Sequence, residues 1–135
     1  MCQLFIGADS QLWQSYTRSL RIDGVVSSVR LEQFFWNSLE EIAFRDDMTV
    51  NSLITKLYFE SIDEGHDLGN FTSFLRVCCG RYHALIASGE LPDQLTGSLQ
   101  DVQSDVILER ERQTQQKKKL AMASFVSEKQ AFRRN

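Results

Sequence analysis

The sequence predicts a mainly α fold with a short β-ribbon. One stretch rich in β-branched residues alternates with period two, three later stretches carry apolar residues at helical spacing, and the 135 residues include a single proline. An apolar content of 42% suffices for one compact core and not for two large independent ones. The expected organisation is a domain over residues 1–92 and a C-terminal tail over 93–135.

Taken in order, Cys2 to Ile6 is a short apolar run ended by Gly7 and reads as a strand. Ala8-Asp9-Ser10 can cap a brief helical turn carrying Leu12 and Trp13. Tyr16 to Ile22 alternates in part, with Leu20 and Ile22 on one face and Ser19 and Arg21 on the other, and Asp23-Gly24 then signals a tight turn. Val25 to Leu31 alternates fully: Val25, Ser27, Val29 and Leu31 share one face, while Val26, Ser28 and Arg30 share a second, polar and cationic one.

From Glu32 the period changes to that of an amphipathic helix. Phe35, Trp36, Leu39, Ile42 and Ala43 form its apolar stripe, with Asn37, Glu40, Glu41 and Arg45 opposite. Asp46-Asp47-Met48 breaks the pattern, Thr49 is a good N-cap, and Val50, Leu53, Ile54, Leu57 and Tyr58 form the stripe of a second helix closed near Gly65. Asn70 reads as the cap of a third helix, Phe71 to Ala87, whose apolar positions are Phe74, Leu75, Cys78, Tyr82 and Leu85; Ser88-Gly89 and Pro92 end it. Beyond Asp93 strong apolar clusters are few. The run from Glu109 to Lys119 has the composition of either a solvated helix or a disordered tail.

Charge is unevenly spread. The net charge is −3, yet residues 1–31 hold three bases against two acids, 32–105 four against thirteen, and 106–135 eight against three. Basic ends and an acidic middle are compatible with a nucleic-acid-facing side and a solvated or partner-facing one. No run approaches the roughly 20 apolar residues of a membrane span, and the first residues carry neither a basic leader nor a signal-length apolar stretch. A cytoplasmic location away from membranes is expected.

Cys2, Cys78 and Cys79 are odd in number and have neither Cys-x-x-Cys spacing nor a second Cys/His cluster. Neither a disulfide framework nor a metal site is expected, and no cofactor. Cys79 and His83 fall on one helical face, a spacing that would suit a nucleophile and base. They lie on an apolar stripe, however, without an orienting third group or oxyanion donors, so no enzyme is predicted.

A strand followed by two helices cannot bury its own apolar faces, because a lone strand leaves two open edges. If two copies pair their Val25–Leu31 strands antiparallel about a two-fold axis, Val29 and Leu31 fall onto the helices, and Val26, Ser28 and Arg30 project outward from both strands. Ser28-Val29-Arg30-Leu31-Glu32, then Phe35-Trp36, then Met48-Thr49-Val50-Asn51-Ser52-Leu53-Ile54 closely resembles the ribbon-helix-helix repressors. The matching unit runs from about Val25 to Glu64. Arg18 to Arg21 before it and Gly69 to Arg76 after it resemble a bacterial branch with an extra N-terminal strand and a third helix.

The resemblance implies a homodimeric DNA-binding transcriptional regulator whose antiparallel ribbon enters the major groove of double-stranded DNA. Val26, Ser28 and Arg30 inherit the base contacts: Arg30 toward guanine, Ser28 toward several bases, Val26 toward a thymine methyl. Thr49, Asn51 and Ser52 open the second helix and inherit a phosphate clamp; Arg18 and Arg21 are candidates for flanking phosphates, or else pair with acids such as Asp23. Tetramer formation on DNA stays open. The alternative is a protein-interaction or antitoxin-like dimer without specific DNA readout, its partner bound through the third helix or the tail.

Overall fold

The structure, a computed structural model, describes residues 1–134. Contacts divide the chain into two units, residues 1–100 and 101–135.

The first unit begins with a five-residue helix, α1 (Cys2–Ile6), where the apolar run predicts a strand. An edge strand needs a neighbour for its backbone. Here Leu4 and Gly7 instead donate to the carbonyls of Met1 and Gln3 within the segment itself. A 3-10 turn at Ser10–Trp13 follows, capped as expected: the Asp9 carboxylate accepts from the Gln11 amide.

Strand β1 (Ser15–Ile22) and strand β2 (Val25–Glu32) form a two-stranded antiparallel hairpin. Asp23 and Gly24 both take positive φ, 53° and 77°, as a two-residue turn matched to strand twist demands, and glycine accepts this without a Cβ penalty. The turn fixes the register outward from Ile22↔Val25 to Ser15↔Glu32. The strand that sequence reasoning left to find its partner in a second copy therefore has one in its own chain, and its two open edges are reduced to one.

Helix α2 (Gln33–Arg45) lays Trp36, Leu39 and Ala43 on the inner face of the hairpin, where Leu20, Ile22, Val29 and Leu31 are buried. Trp36 is fully buried, and its indole N–H donates to the Tyr16 carbonyl at 3.0 Å, so the largest core side chain leaves no polar atom unpaired. Asp47, at φ 54°, turns the chain into helix α3 (Val50–Asp63), which adds Leu53 and Ile54 to the core and touches β1. A 3-10 turn at Leu68–Asn70 leads into helix α4 (Phe71–Ala87), packed on α2 and β2 through Leu75 and Cys79. Asn70 occupies the N-cap of α4 without a side-chain bond; the Asp67 carboxylate caps the preceding turn.

One residue of α2 departs from its expected solvent face. Arg45 is buried, its Nε donating to the Gly97 carbonyl at 2.8 Å and its Nη1 to the Tyr82 hydroxyl at 3.0 Å. Tyr82 in turn donates to Glu41. Backbone from the segment after Pro92 thus supplies the oxygen that makes burial of the cation tolerable, and the Leu99 amide donates to Asp46 nearby. These bonds keep residues up to 100 with the first unit.

The second unit contains helix α5 (Ser104–Arg134), which gives the region 104–134 helical form. Leu120, Met122, Phe125 and Val126 are exposed along it, as are Lys117, Lys118 and Lys119.

Candidate nucleic-acid interface

The period-two pattern sorts the hairpin into two chemically distinct faces. Leu20, Ile22, Val29 and Leu31 point to the helices, whereas Thr17, Ser19 and Arg21 of β1 and Val26, Ser28 and Arg30 of β2 are all exposed. Cross-strand partners are Thr17↔Arg30, Ser19↔Ser28 and Arg21↔Val26, so the six form one contiguous outward patch. In a two-residue hairpin the pair flanking the turn exchanges backbone hydrogen bonds and the pattern alternates from there, which makes these three the closer, non-hydrogen-bonded pairs.

Two of the six are cations with no ion pair among the described residues, Arg21 and Arg30. Arg30 donates from Nη1 to the Thr17 hydroxyl at 3.3 Å, and Arg21 extends beside Val26. Arginine presents a planar fork of donors that suits a guanine edge or a phosphate.

Arg18 is placed differently. Three residues from Arg21 it falls on the opposite face, stacks its guanidinium 4.4 Å from the Trp36 ring centroid and pairs with Glu40 at 2.7 Å. The structure therefore brings Arg21 to the ribbon patch and leaves Arg18 on the helix side, paired with Glu40 rather than Asp23.

Thr49, Asn51 and Ser52 are exposed on the first turn of α3. The Thr49 hydroxyl oxygen accepts from the Ser52 amide at 3.1 Å and donates to the Ser52 hydroxyl at 2.9 Å. One amide of the turn is thereby capped, while the helix's positive end stays open to solvent, an arrangement able to receive an anion.

At the start of α2, Arg76 from α4 grips the Glu32 carboxylate with two bonds, Nε at 2.9 Å and Nη2 at 3.0 Å. The Arg76 hydrogen bonds hold the Glu32 carboxyl below its ordinary range. This clamp ties α4 to the end of β2.

The two thiols of α4, Cys78 and Cys79, have no reactive setting. Burial pushes the Cys79 thiol up to about 12 and also raises that of Cys78, leaving little thiolate at neutral pH. His83 is engaged elsewhere: the Ser38 hydroxyl donates to the Phe34 carbonyl, and its oxygen lies 2.7 Å from His83 Nε2. Among the described residues no group of three or more His, Cys, Asp and Glu side chains could hold a metal ion. No described helix is long and apolar enough to cross a membrane.

Sequence reasoning did not count Thr17 and Ser19 toward the interface. The signal was present, since a two-residue turn at Asp23-Gly24 pairs 17 with 30 and 19 with 28 by counting outward.

A β-ribbon whose polar face is free, backed by a helix-turn-helix pair, defines a protein of the ribbon-based DNA-binding regulator class. The family model of the ribbon-helix-helix domain matches residues 15–83, and the chain belongs to that family. Ribbon-helix-helix proteins are regulators and not enzymes. Among solved structures, an uncharacterized protein from Bordetella pertussis Tohama I is similar at 48% identity and a TM-score of 0.75, over 80% of this chain and 86% of that one. No curated protein matches.

Proposed function

We propose that the protein is a homodimeric transcriptional repressor that reads double-stranded DNA in the major groove through the outward face of its ribbon. The observation that carries this reading is the exposed six-residue face, which holds two arginines with no ion pair among the described residues although the chain as a whole is acidic.

The hairpin supports dimer formation. β2 pairs with β1 on one side only, and alternation of the ladder turns the backbone N–H and C=O groups of Val26, Ser28 and Arg30 toward its other edge. An open edge of this kind invites a second strand. Antiparallel pairing of two β2 strands about a two-fold axis gives a four-stranded sheet with both copies of Val26, Ser28 and Arg30 in the middle. Family members typically bind DNA as dimers.

Dimensions then divide the roles. Three spacings of about 4.8 Å between strands span roughly 14 Å, more than the roughly 12 Å width of the major groove. The central β2 pair reaches base edges, and the outer β1 strands meet the groove walls, which puts Arg21 against phosphate. Thr49, Asn51 and Ser52 add a phosphate clamp at the start of α3. Arg18, tied to Trp36 and Glu40, serves the fold. The location that suits this role is the cytoplasm.

Fluorescence anisotropy with duplexes selected from a randomised pool tests the reading. Wild type is expected to select a palindromic sequence that Arg30→Ala no longer distinguishes from the pool. Equal, salt-sensitive binding by both proteins would leave only general electrostatics and put a protein-interaction dimer, antitoxin-like in kind, in its place.

A further inference from the structure

We infer that Thr17, on β1 directly across the hairpin from Arg30, is a positioning residue that presets the Arg30 guanidinium for guanine and thereby sets base discrimination. This rests on the DNA-reading function proposed above. The sharp contact is the 3.3 Å bond from Arg30 Nη1 to the Thr17 hydroxyl, made across a directly opposed pair whose side chains the ladder brings close.

An exposed arginine on a strand ordinarily samples many rotamers, and ordering them on binding costs affinity and blurs selectivity. The Thr17 hydroxyl removes part of that freedom before DNA arrives. It does so without consuming the reading edge. Arginine carries five N–H donors, and the bond to Thr17 uses one on Nη1, so the side formed by Nε and Nη2 keeps both of its parallel donors for the O6 and N7 acceptors of guanine. Arg76 uses that same Nε and Nη2 side to grip Glu32 in this protein. Glu32 is in turn engaged by Arg76, which keeps the nearest carboxylate on β2 from capturing Arg30 in Thr17's place.

The role differs from a structural one in what it predicts. Thr17 is exposed, so replacing its hydroxyl by a methyl in Thr17→Val leaves no buried polar group, and valine is as favourable in a strand as threonine. The charge of Arg30 is untouched. Discrimination should fall while general DNA attraction stays.

The experiment measures anisotropy for the full-length chain on the selected duplex and on the duplexes in which each guanine is replaced in turn, at two salt concentrations, with thermal unfolding of each protein. Arg30→Ala first identifies the guanine whose replacement no longer matters. For Thr17→Val, discrimination at that guanine is expected to drop about three- to tenfold, as loss of one long, solvent-exposed ordering bond implies, with the salt slope and melting temperature retained. Thr17→Ser, which keeps the hydroxyl, restores most of the discrimination. If Arg30→Ala loses discrimination but Thr17→Val keeps it, Arg30 reads unaided and the inference falls while the function stands. An equal weakening on every duplex with a lowered melting temperature also overturns it, in favour of a structural Thr17. Retained discrimination by Arg30→Ala removes the proposed function itself and this inference with it.

Discussion

The two faces of one hairpin share a backbone and differ in everything built on it. Inward, Leu20, Ile22, Val29 and Leu31 are sealed by α2 and α3, and the one cation there, Arg18, is stacked on Trp36 and paired with Glu40. Outward, Arg21 and Arg30 have no ion pair among the described residues, and Arg30 lies against the Thr17 hydroxyl. Arg18 and Arg21 lie three residues apart, and an odd separation in a strand sends them to opposite sides. A cation already satisfied within the fold supports stability; one held ready in solvent can be given to a ligand.

Substitutions on the two faces sharpen that contrast, and the largest effect belongs to the inner side. Trp36→Ala removes the fully buried indole and the bond to Tyr16, and urea unfolding should show a loss of about 3–5 kcal/mol. Tyr82→Phe leaves Arg45 without one of its two acceptors in a buried site; the same measurement should lose about 1–3 kcal/mol, because segment 92–100 and α4 are joined there.

On the outer face the free energy appears in binding and not in folding. Arg30→Ala should leave the unfolding midpoint unchanged and raise the Kd for the selected duplex by an amount equivalent to about 1–3 kcal/mol, the usual value of a bidentate guanine contact. Arg18→Ala is the mirror case: DNA affinity within a factor of about two, and stability lower by about 1 kcal/mol from the lost stacking and ion pair. If Arg18→Ala weakens DNA binding as much as Arg21→Ala does, the division of roles between the faces is wrong.

The smallest effect is set by pH. Arg76 holds Glu32 below its ordinary value of 4.5, so the folded state binds that proton less readily than the unfolded chain. The stabilisation is therefore complete above about 4.5 and disappears as the pH falls through the lowered value. Both partners are partly exposed, with side-chain accessibilities of 37% and 28%, so the contribution stays under about 1 kcal/mol. Comparing Glu32→Gln with wild type by urea unfolding at pH 7 and pH 3 should show a small difference at the first that shrinks at the second.

Much of the first unit could be read before any coordinates. The Thr49 cap, the span Phe71–Ala87, the turn at Asp23-Gly24 and the alternation through Val29 and Leu31 are local in origin, so local sequence carries them. Arg45 shows where such reading stops. Its helical position gives it to solvent, but Gly97 and Tyr82, distant in sequence, supply the acceptors that bury it. Cys2–Ile6 shows the reverse, an apolar run read as a strand whose backbone instead closes hydrogen bonds within the segment itself.

By itself, then, the sequence determined the hairpin turn and the three helices that follow it, the chemistry of the ribbon's outward residues and the family they belong to, because periodicity and turn chemistry depend on neighbours a few residues away. That Arg18 stacks on Trp36 and pairs with Glu40, that Arg45 is buried against Gly97 and Tyr82, and that the Thr17 hydroxyl accepts from Arg30 were decided by tertiary structure. Those outcomes depend on groups brought together from across the hairpin and from distant helices, and backbone pairing and side-chain partners of that kind exist only once the chain has closed on itself.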